Sequence, residues 1–177
     1  MQLSPIYLVM GVSGSGKTTI GEQLAARLQL RFHDADEFHS QANIDKMDNN
    51  IPLNDADRAD WLRDMAADIH SWETTGGAVL ACSALKEKYR VTLQEGARQP
   101  LRWVYLDGSR KLLHERLENR TGHYMKAEML DSQIDTLEVP TYGLHLKLEG
   151  KSPEKLVQEI LEANRTDEIN PAAVGKE

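Results

Sequence analysis

"GVSGSGKT" occupies Gly11–Thr18, and how it is read decides the fold. It matches G-x-x-x-x-G-K-[ST] at every fixed position, the pattern of a loop that cradles phosphates. Gly11, Gly14 and Gly16 let the backbone curl so that the N–H groups of Val12, Ser13, Ser15 and their neighbours turn inward. Lys17 is long enough to reach terminal phosphates, and the Thr18 hydroxyl is placed to ligate Mg²⁺. The flanks agree. Ile6–Met10 (IYLVM) is a continuous apolar run that suits a strand buried on both faces. Beyond Lys17, the residues Ile20, Leu24 and Leu28 recur at helical spacing, so the loop feeds a helix whose N-terminus adds partial positive charge. Thr19 stands where the third glycine of G-x-G-x-x-G would fall, which excludes a dinucleotide fingerprint. Gly11 through Thr19 therefore read as a nucleoside triphosphate site.

Working outward, Arg31–Asp34 is a short strand candidate, and a helix is expected over Phe38–Met47. A longer helix begins after Asn54, an N-cap with Asp57 three residues on. Its apolar stripe is Trp61, Met65, Ile69 and Trp72, and it breaks at Gly76-Gly77. Ala78–Cys82 (AVLAC) and Leu101–Leu106 (LRWVYL) are further strands, each followed by a helical pattern. Met125, Met129, Ile134 and Leu137 mark a helix within a polar stretch that Pro140 ends. Leu144–Leu148 (LHLKL) alternates, as an exposed or edge strand does. Ser152-Pro153 opens a last helix with proline in its first turn. Apolar strands alternating with amphipathic helices predict an α/β fold with a mainly parallel sheet. Residues 1–165 form one domain, and 166–177 are a polar, aperiodic stretch expected to be a loose tail.

The 177 residues are enough for one domain with a sizeable core. Their net charge of −7 argues against a nucleic-acid or acidic-membrane partner, which needs a basic surface. No apolar run reaches transmembrane length, and the N-terminus lacks the basic region of a signal peptide. Cys82 is the single cysteine, so no internal disulfide forms, and a cytoplasmic address is expected.

A triphosphate site serves either a kinase with a small acceptor or a nucleotide-driven regulator. A GTPase switch would carry D-x-x-G and N-K-x-D, and neither occurs. A P-loop kinase needs an acceptor pocket near the end of the second strand and cations that close over the transferring phosphoryl group. "DADEFH" puts Asp34 and Asp36 there, to hold Mg²⁺ and to take the acceptor's proton; aspartates that simply cap the next helix would look the same. His39, three residues on, either bonds the acceptor or is solvated. Ser83 ends the third strand, where open α/β sheets bind ligands. Lys86 and Arg90, four apart, either share a face toward an anion or are ordinary solvated charges. Arg116, Arg120, His123 and Lys126 border a polar segment. Either Arg120 reaches the phosphates from a lid over about 121–140, or it is an exposed basic helix end.

Taken together, "GVSGSGKT", "DADEFH", "NIDKM", "PLNDADR..WL", "CSALKEKYR", "RTGHYM" and "SQIDTLEVP" resemble the gluconate kinases of the thermoresistant gluconokinase family. The likeness runs in order from about residue 6 to 164. It implies a P-loop fold like the nucleoside monophosphate kinases: five parallel strands flanked by helices, with a mobile lid. It implies transfer from ATP, with Mg²⁺, to D-gluconate, in a cytoplasmic enzyme that is often a homodimer. By similarity with the related shikimate kinases, Asp34 stands on the metal side and Asp36 meets the acceptor hydroxyl. Arg116 resembles the arginine on adenine and Arg120 the lid arginine. Arg58, Ser83, His123 and Gln133 become sugar-acid contacts, beside His39 and Lys86.

Overall fold

The computed structural model describes residues 2–120, 124–166 and 169. Among them, β1 (Ile6–Met10), β2 (Arg31–Asp34), β3 (Ala78–Ala81), β4 (Arg102–Asp107) and β5 (Leu144–Lys147) form one sheet in the order β2-β3-β1-β4-β5. Every pairing is parallel. The helices are α1 (Lys17–Leu28), α2 (Gln41–Asp48), α3 (Asp55–Trp72), α4 (Glu87–Gly96), α5 (Arg110–Glu118), α6 (Tyr124–Thr136) and α7 (Pro153–Arg165). This is the α/β class with the five-stranded parallel sheet that the sequence predicts. The alternating strand is at the edge: β5 pairs only with β4.

Successive residues of β1 divide between two cores, because side chains along a strand alternate faces. Ile6, Leu8 and Met10 pack with Trp61, Met65 and Ile69 of α3 and Leu93 of α4. Tyr7 and Val9 pack with Ile20 and Leu24 of α1 and Leu156 and Ile160 of α7. A strand covered on both faces has no polar positions, which is why IYLVM is unbroken. Each large side chain so buried contributes roughly 1.5–3 kcal/mol.

Caps fix where the helices begin. Asn54 and Asp57 form a reciprocal capping box at α3. Ser109 caps α5, and Ser152 caps α7 just ahead of Pro153. The single helix expected over Phe38–Met47 is two pieces. Asp34 accepts from the Asp36 N–H and starts a 3-10 turn over Ala35–Phe38. His39 and Ser40 are extended, and the Ser40 hydroxyl accepts from the Asn43 N–H to start α2 afresh. The break matters, because it leaves Asp36 and His39 on a turn at the sheet's carboxyl end rather than inside a helix.

Two other expectations resolve differently from the sequence pattern. Arg90 is 1% exposed and takes no part in an anion-binding face. It donates to the Ala84 and Glu138 carbonyls and to the Glu87 carboxylate, so it pins the turn after β3 to the segment that follows α6. Ile169, in the stretch expected to be a loose tail, is buried in the α1–α7 core; residues 167, 168 and 170–177 lie outside the described residues.

Candidate active site

The phosphate loop leaves the carboxyl end of β1 and turns straight into α1. Gly14 and Gly16 have φ of 78° and 96°, left-handed values that a side chain would disfavour. The Ser15 N–H and hydroxyl both donate to the Val12 carbonyl, and the Lys17 ammonium reaches the same carbonyl at 3.1 Å. Lys17 is therefore folded back over the loop. Burial lowers its pKa, while Cys82, Asp36 and Asp34 pull in the opposite direction.

Three cavities run in series across the ends of the strands. The middle one, about 650 Å³, is lined by Ser13, Gly14, Gly16, Lys17, Thr18, Thr19, Asp34, Asp36 and Arg120. A second, about 270 Å³, shares Gly14, Gly16, Thr19 and Arg120 with it and adds Arg116. The Arg116 guanidinium donates to the Gly14 and Ser15 carbonyls, so it backs the loop from the α5 side. The third, about 330 Å³, holds His39, Arg58 and Trp61. Asp36, Ser83 and Gln133 line both the middle and the third cavities, which places them where the two chambers meet.

The two aspartates differ. Asp34 is engaged on both oxygens: Oδ2 accepts from the Thr18 hydroxyl at 2.9 Å and Oδ1 from the Asp36 N–H at 3.0 Å. No described residue hydrogen-bonds the Asp36 carboxylate. His39 stacks on Trp61, with ring centroids 4.5 Å apart. Burial holds its pKa below the usual histidine value, with Asp36 raising and Arg58 lowering it to lesser degrees. Arg58 bonds the Leu53 carbonyl and lies 5.6 Å from the Tyr89 ring centre. Lys86 lines neither chamber; its ammonium faces Asp55 at 3.4 Å, with Lys88 and Tyr89 on the same carboxylate. His123 lies outside the described residues.

Some contributors carried no functional signal in the sequence. Trp61 reads as core and is core, yet its indole N–H donates to the Ala35 carbonyl at 2.7 Å and it forms one wall of the third cavity. Asn50 and Met129 line both chambers. Asn50 has φ of 57°, a conformation asparagine tolerates.

His33 and His39 give the fold a pH dependence. The His33 ring stacks on Trp72 at 4.0 Å, its Nε2 is buried without a partner among the described residues, and burial lowers its pKa. A folded-state pKa below the unfolded 6.5 means that the unfolded chain binds the proton first. Stability is full above that value and is lost as pH falls through the folded pKa. Melting temperature should therefore drop between about pH 7.5 and 5.5, and drop less in His33→Phe. Parallel curves for the two proteins would remove His33 as the cause.

A phosphate loop on a parallel sheet, with a second cavity that shares lining residues with it, is the arrangement of a small-molecule kinase of the P-loop class. The shikimate kinase family model matches residues 13–165. The gluconokinase of Gluconobacter oxydans (strain 621H) is 48% identical over 169 residues, covering 91% of this chain and 92% of that one. The thermoresistant gluconokinase of Escherichia coli (strain K12) is 40% identical over 136 residues, 76% of this chain and 77% of that one. The crystal structure of a gluconokinase from Sinorhizobium meliloti 1021 superposes with a TM-score of 0.84 at 36% identity, covering 95% of each chain. The chain belongs to the gluconokinase family.

Proposed function

We propose that the protein transfers the γ-phosphoryl group of ATP to the C6 hydroxyl of D-gluconate, giving ADP and 6-phospho-D-gluconate. The observation that carries this reading is the shared wall: Asp36, Ser83 and Gln133 line the phosphate chamber and the acceptor chamber at once. ATP lies with adenine toward Arg116 and its phosphates on the loop N–H groups and Lys17. Arg120 lines both nucleotide chambers and supplies charge to the phosphates. Asp36 accepts the acceptor's proton as the phosphoryl group moves.

Arg58 is the only lysine or arginine among the described residues lining the acceptor chamber, and His39 is held toward its neutral form. The sugar-acid carboxylate therefore goes to Arg58. A six-carbon acid held there presents its far hydroxyl end to Asp36, and repulsion between carboxylates disfavours the reverse pose. That orientation accounts for transfer to C6.

The residues present fit Mg²⁺. Among the described residues no group of three or more His, Cys, Asp or Glu could cage a metal. Mg²⁺ does not need such a cage, since it takes one or two protein oxygens and fills the rest with phosphate and water. Thr18 and Asp34 would hold it, and when bound it would neutralise charge on the β- and γ-phosphates. Within the 121–140 stretch expected to form a lid, Leu130 is fully buried, and residues 121–123 lie outside the described residues.

A cytoplasmic setting and a homodimer complete the proposal. No helix among the described residues is long and apolar enough to cross a membrane. Burial pushes the Cys82 thiol up to about 12, which leaves it inert as a thiolate. Dimerisation rests on the family likeness.

The test is ADP release measured with gluconate, idonate, shikimate and nucleoside monophosphates as acceptors. Gluconate should drive release; release indifferent to every acceptor would point to a regulator instead. In the same assay Arg58→Ala should raise the gluconate KM by roughly tenfold or more, the cost of a lost charged hydrogen bond, with the ATP KM little changed. An unchanged gluconate KM would place the carboxylate elsewhere.

A further inference from the structure

Gln133 of α6 is bonded to the phosphate loop. Its Oε1 accepts from the Ser13 N–H at 2.8 Å. A backbone N–H only donates, so this bond fixes which end of the amide meets the loop. The Nε2 group, with two N–H donors, is turned away from Ser13, and no hydrogen bond to a described residue occupies it. The side chain lies on the wall shared by the phosphate and acceptor chambers.

The helix that carries it is fastened in place. Leu130, one turn earlier on the same face, is fully buried in a cluster with Val12 of the loop, Leu85 and Leu113. On the other side, α5 grips α6: Arg110 bonds Asp131 and Asp135, and His114 bonds Asp131 at 2.7 Å. A flexible three-carbon side chain is thus held at one end by the loop and at its base by a packed helix. What remains directed is a neutral donor pair at the junction through which the phosphoryl group passes.

We propose that Gln133 positions the transferring phosphoryl group: Oε1 stays on the Ser13 N–H while Nε2–H donates to a γ-phosphoryl oxygen. The inference rests on the phosphotransfer reading above. Ser13 then acts on the phosphate through Gln133 rather than by its own N–H, which is already engaged. A hydrogen bond from Nε2 to the acceptor hydroxyl oxygen would draw on the lone pairs that must attack phosphorus. The equatorial phosphoryl oxygens carry negative charge throughout transfer and gain from a donor. A neutral amide adds that donor without adding to the repulsion between Lys17 and Arg120.

Gln133→Glu keeps the shape and an acceptor for Ser13 but replaces the donor by a carboxylate oxygen. Gln133→Met removes both ends. Calorimetric affinities for ADP and for the non-hydrolysable triphosphate AMP-PNP, measured with Mg²⁺ and without gluconate, are the readout, alongside kcat. In the glutamate variant ADP affinity should stay within about twofold, while AMP-PNP affinity and kcat each fall roughly 10- to 100-fold, the effect of losing a hydrogen bond to a charged group. The methionine variant should lose AMP-PNP affinity selectively as well, and it carries the test if the glutamate variant does not fold. An unchanged ratio of AMP-PNP to ADP affinity in both variants overturns the proposal; a rise confined to the gluconate KM would assign the amide to the acceptor. Equal losses for both nucleotides in the methionine variant would reduce Gln133 to a staple for the loop. Because the affinities are read without an acceptor, they decide the role of Gln133 even if gluconate proves to be the wrong substrate.

Discussion

Lys17→Ala is expected to lower kcat by roughly 10³-fold or more, the scale set by removing a charge that stabilises a transferring phosphoryl group. Among the described residues the ammonium has one hydrogen bond, to the Val12 carbonyl at 3.1 Å. That bond folds the side chain back over the loop, so the charge sits over the phosphate positions before any nucleotide arrives. Holding it there is costly, since burial lowers its pKa, and Arg120 adds to the lowering. A triphosphate offsets both effects, and most strongly when charge spreads over the equatorial oxygens in transfer. The alanine variant should fold normally, because Lys17 belongs to none of the buried apolar clusters, and its melting temperature should stay near wild type. Arginine should not restore activity: its wider fork cannot lie along the same path over Val12. Steady-state kinetics with gluconate decide the matter, and near-normal turnover of Lys17→Ala would refute the role given to it.

The loop and the strands were legible because their signals are local. A glycine pattern specifies a backbone path, and IYLVM specifies a strand covered twice. Caps were legible for the same reason: Asn54 and Asp57 lie within one turn of each other. The parts that were not legible depend on distant partners. Arg90 and Lys86 stand four apart and read as one cationic face, yet Arg90 is buried through contacts 48 and 52 residues away, at Glu138 and Tyr142. Lys86 precedes the helix as its N-cap and turns to Asp55. No spacing within "CSALKEKYR" separates these fates. Ile169 is a lone apolar residue in a polar stretch, so no periodicity announces that it packs on α7. The acceptor chamber shows the same limit. Trp61 patterns as core, and only the fold shows that its ring, stacked with His39, also lines the third cavity. Of the third cavity, His39, Arg58, Ser83 and Gln133 were named from the sequence through the family resemblance, whereas Trp61, Asn50 and Met129 join them only through the packing of α2, α3, α6 and the turn after β3.

The division of labour between Asp34 and Asp36 leads to the other large effect. Asp34 spends both oxygens on the protein, one on the Thr18 hydroxyl and one on the Asp36 N–H. It thereby faces the loop residue that would share the metal and holds the turn that aims Asp36. The Asp36 carboxylate, free of hydrogen bonds from described residues, lines both chambers. Side-by-side carboxylates repel, and what makes the pair tolerable is the positive surroundings: Lys17, the loop N–H groups, and Mg²⁺ when bound. Asp36→Asn keeps the volume and one acceptor oxygen but cannot take a proton. It should lower kcat by roughly 10²- to 10⁴-fold, the range for a positioned acid–base group, with ATP affinity nearly unchanged because the loop is intact. Asp34→Asn should behave differently. Its single acceptor oxygen can stay on the Asp36 N–H while the amide N–H donates to the Thr18 hydroxyl, so the turn is kept, but the oxygen facing Thr18 is replaced by a donor and the variant should need more Mg²⁺ for activity. Kinetics of both variants across a Mg²⁺ series, with nucleotide affinity measured separately, distinguish the two roles. If Asp36→Asn turned over like wild type, its carboxylate would be a residue of the turn and nothing more, and the proton would have to leave the acceptor by another route.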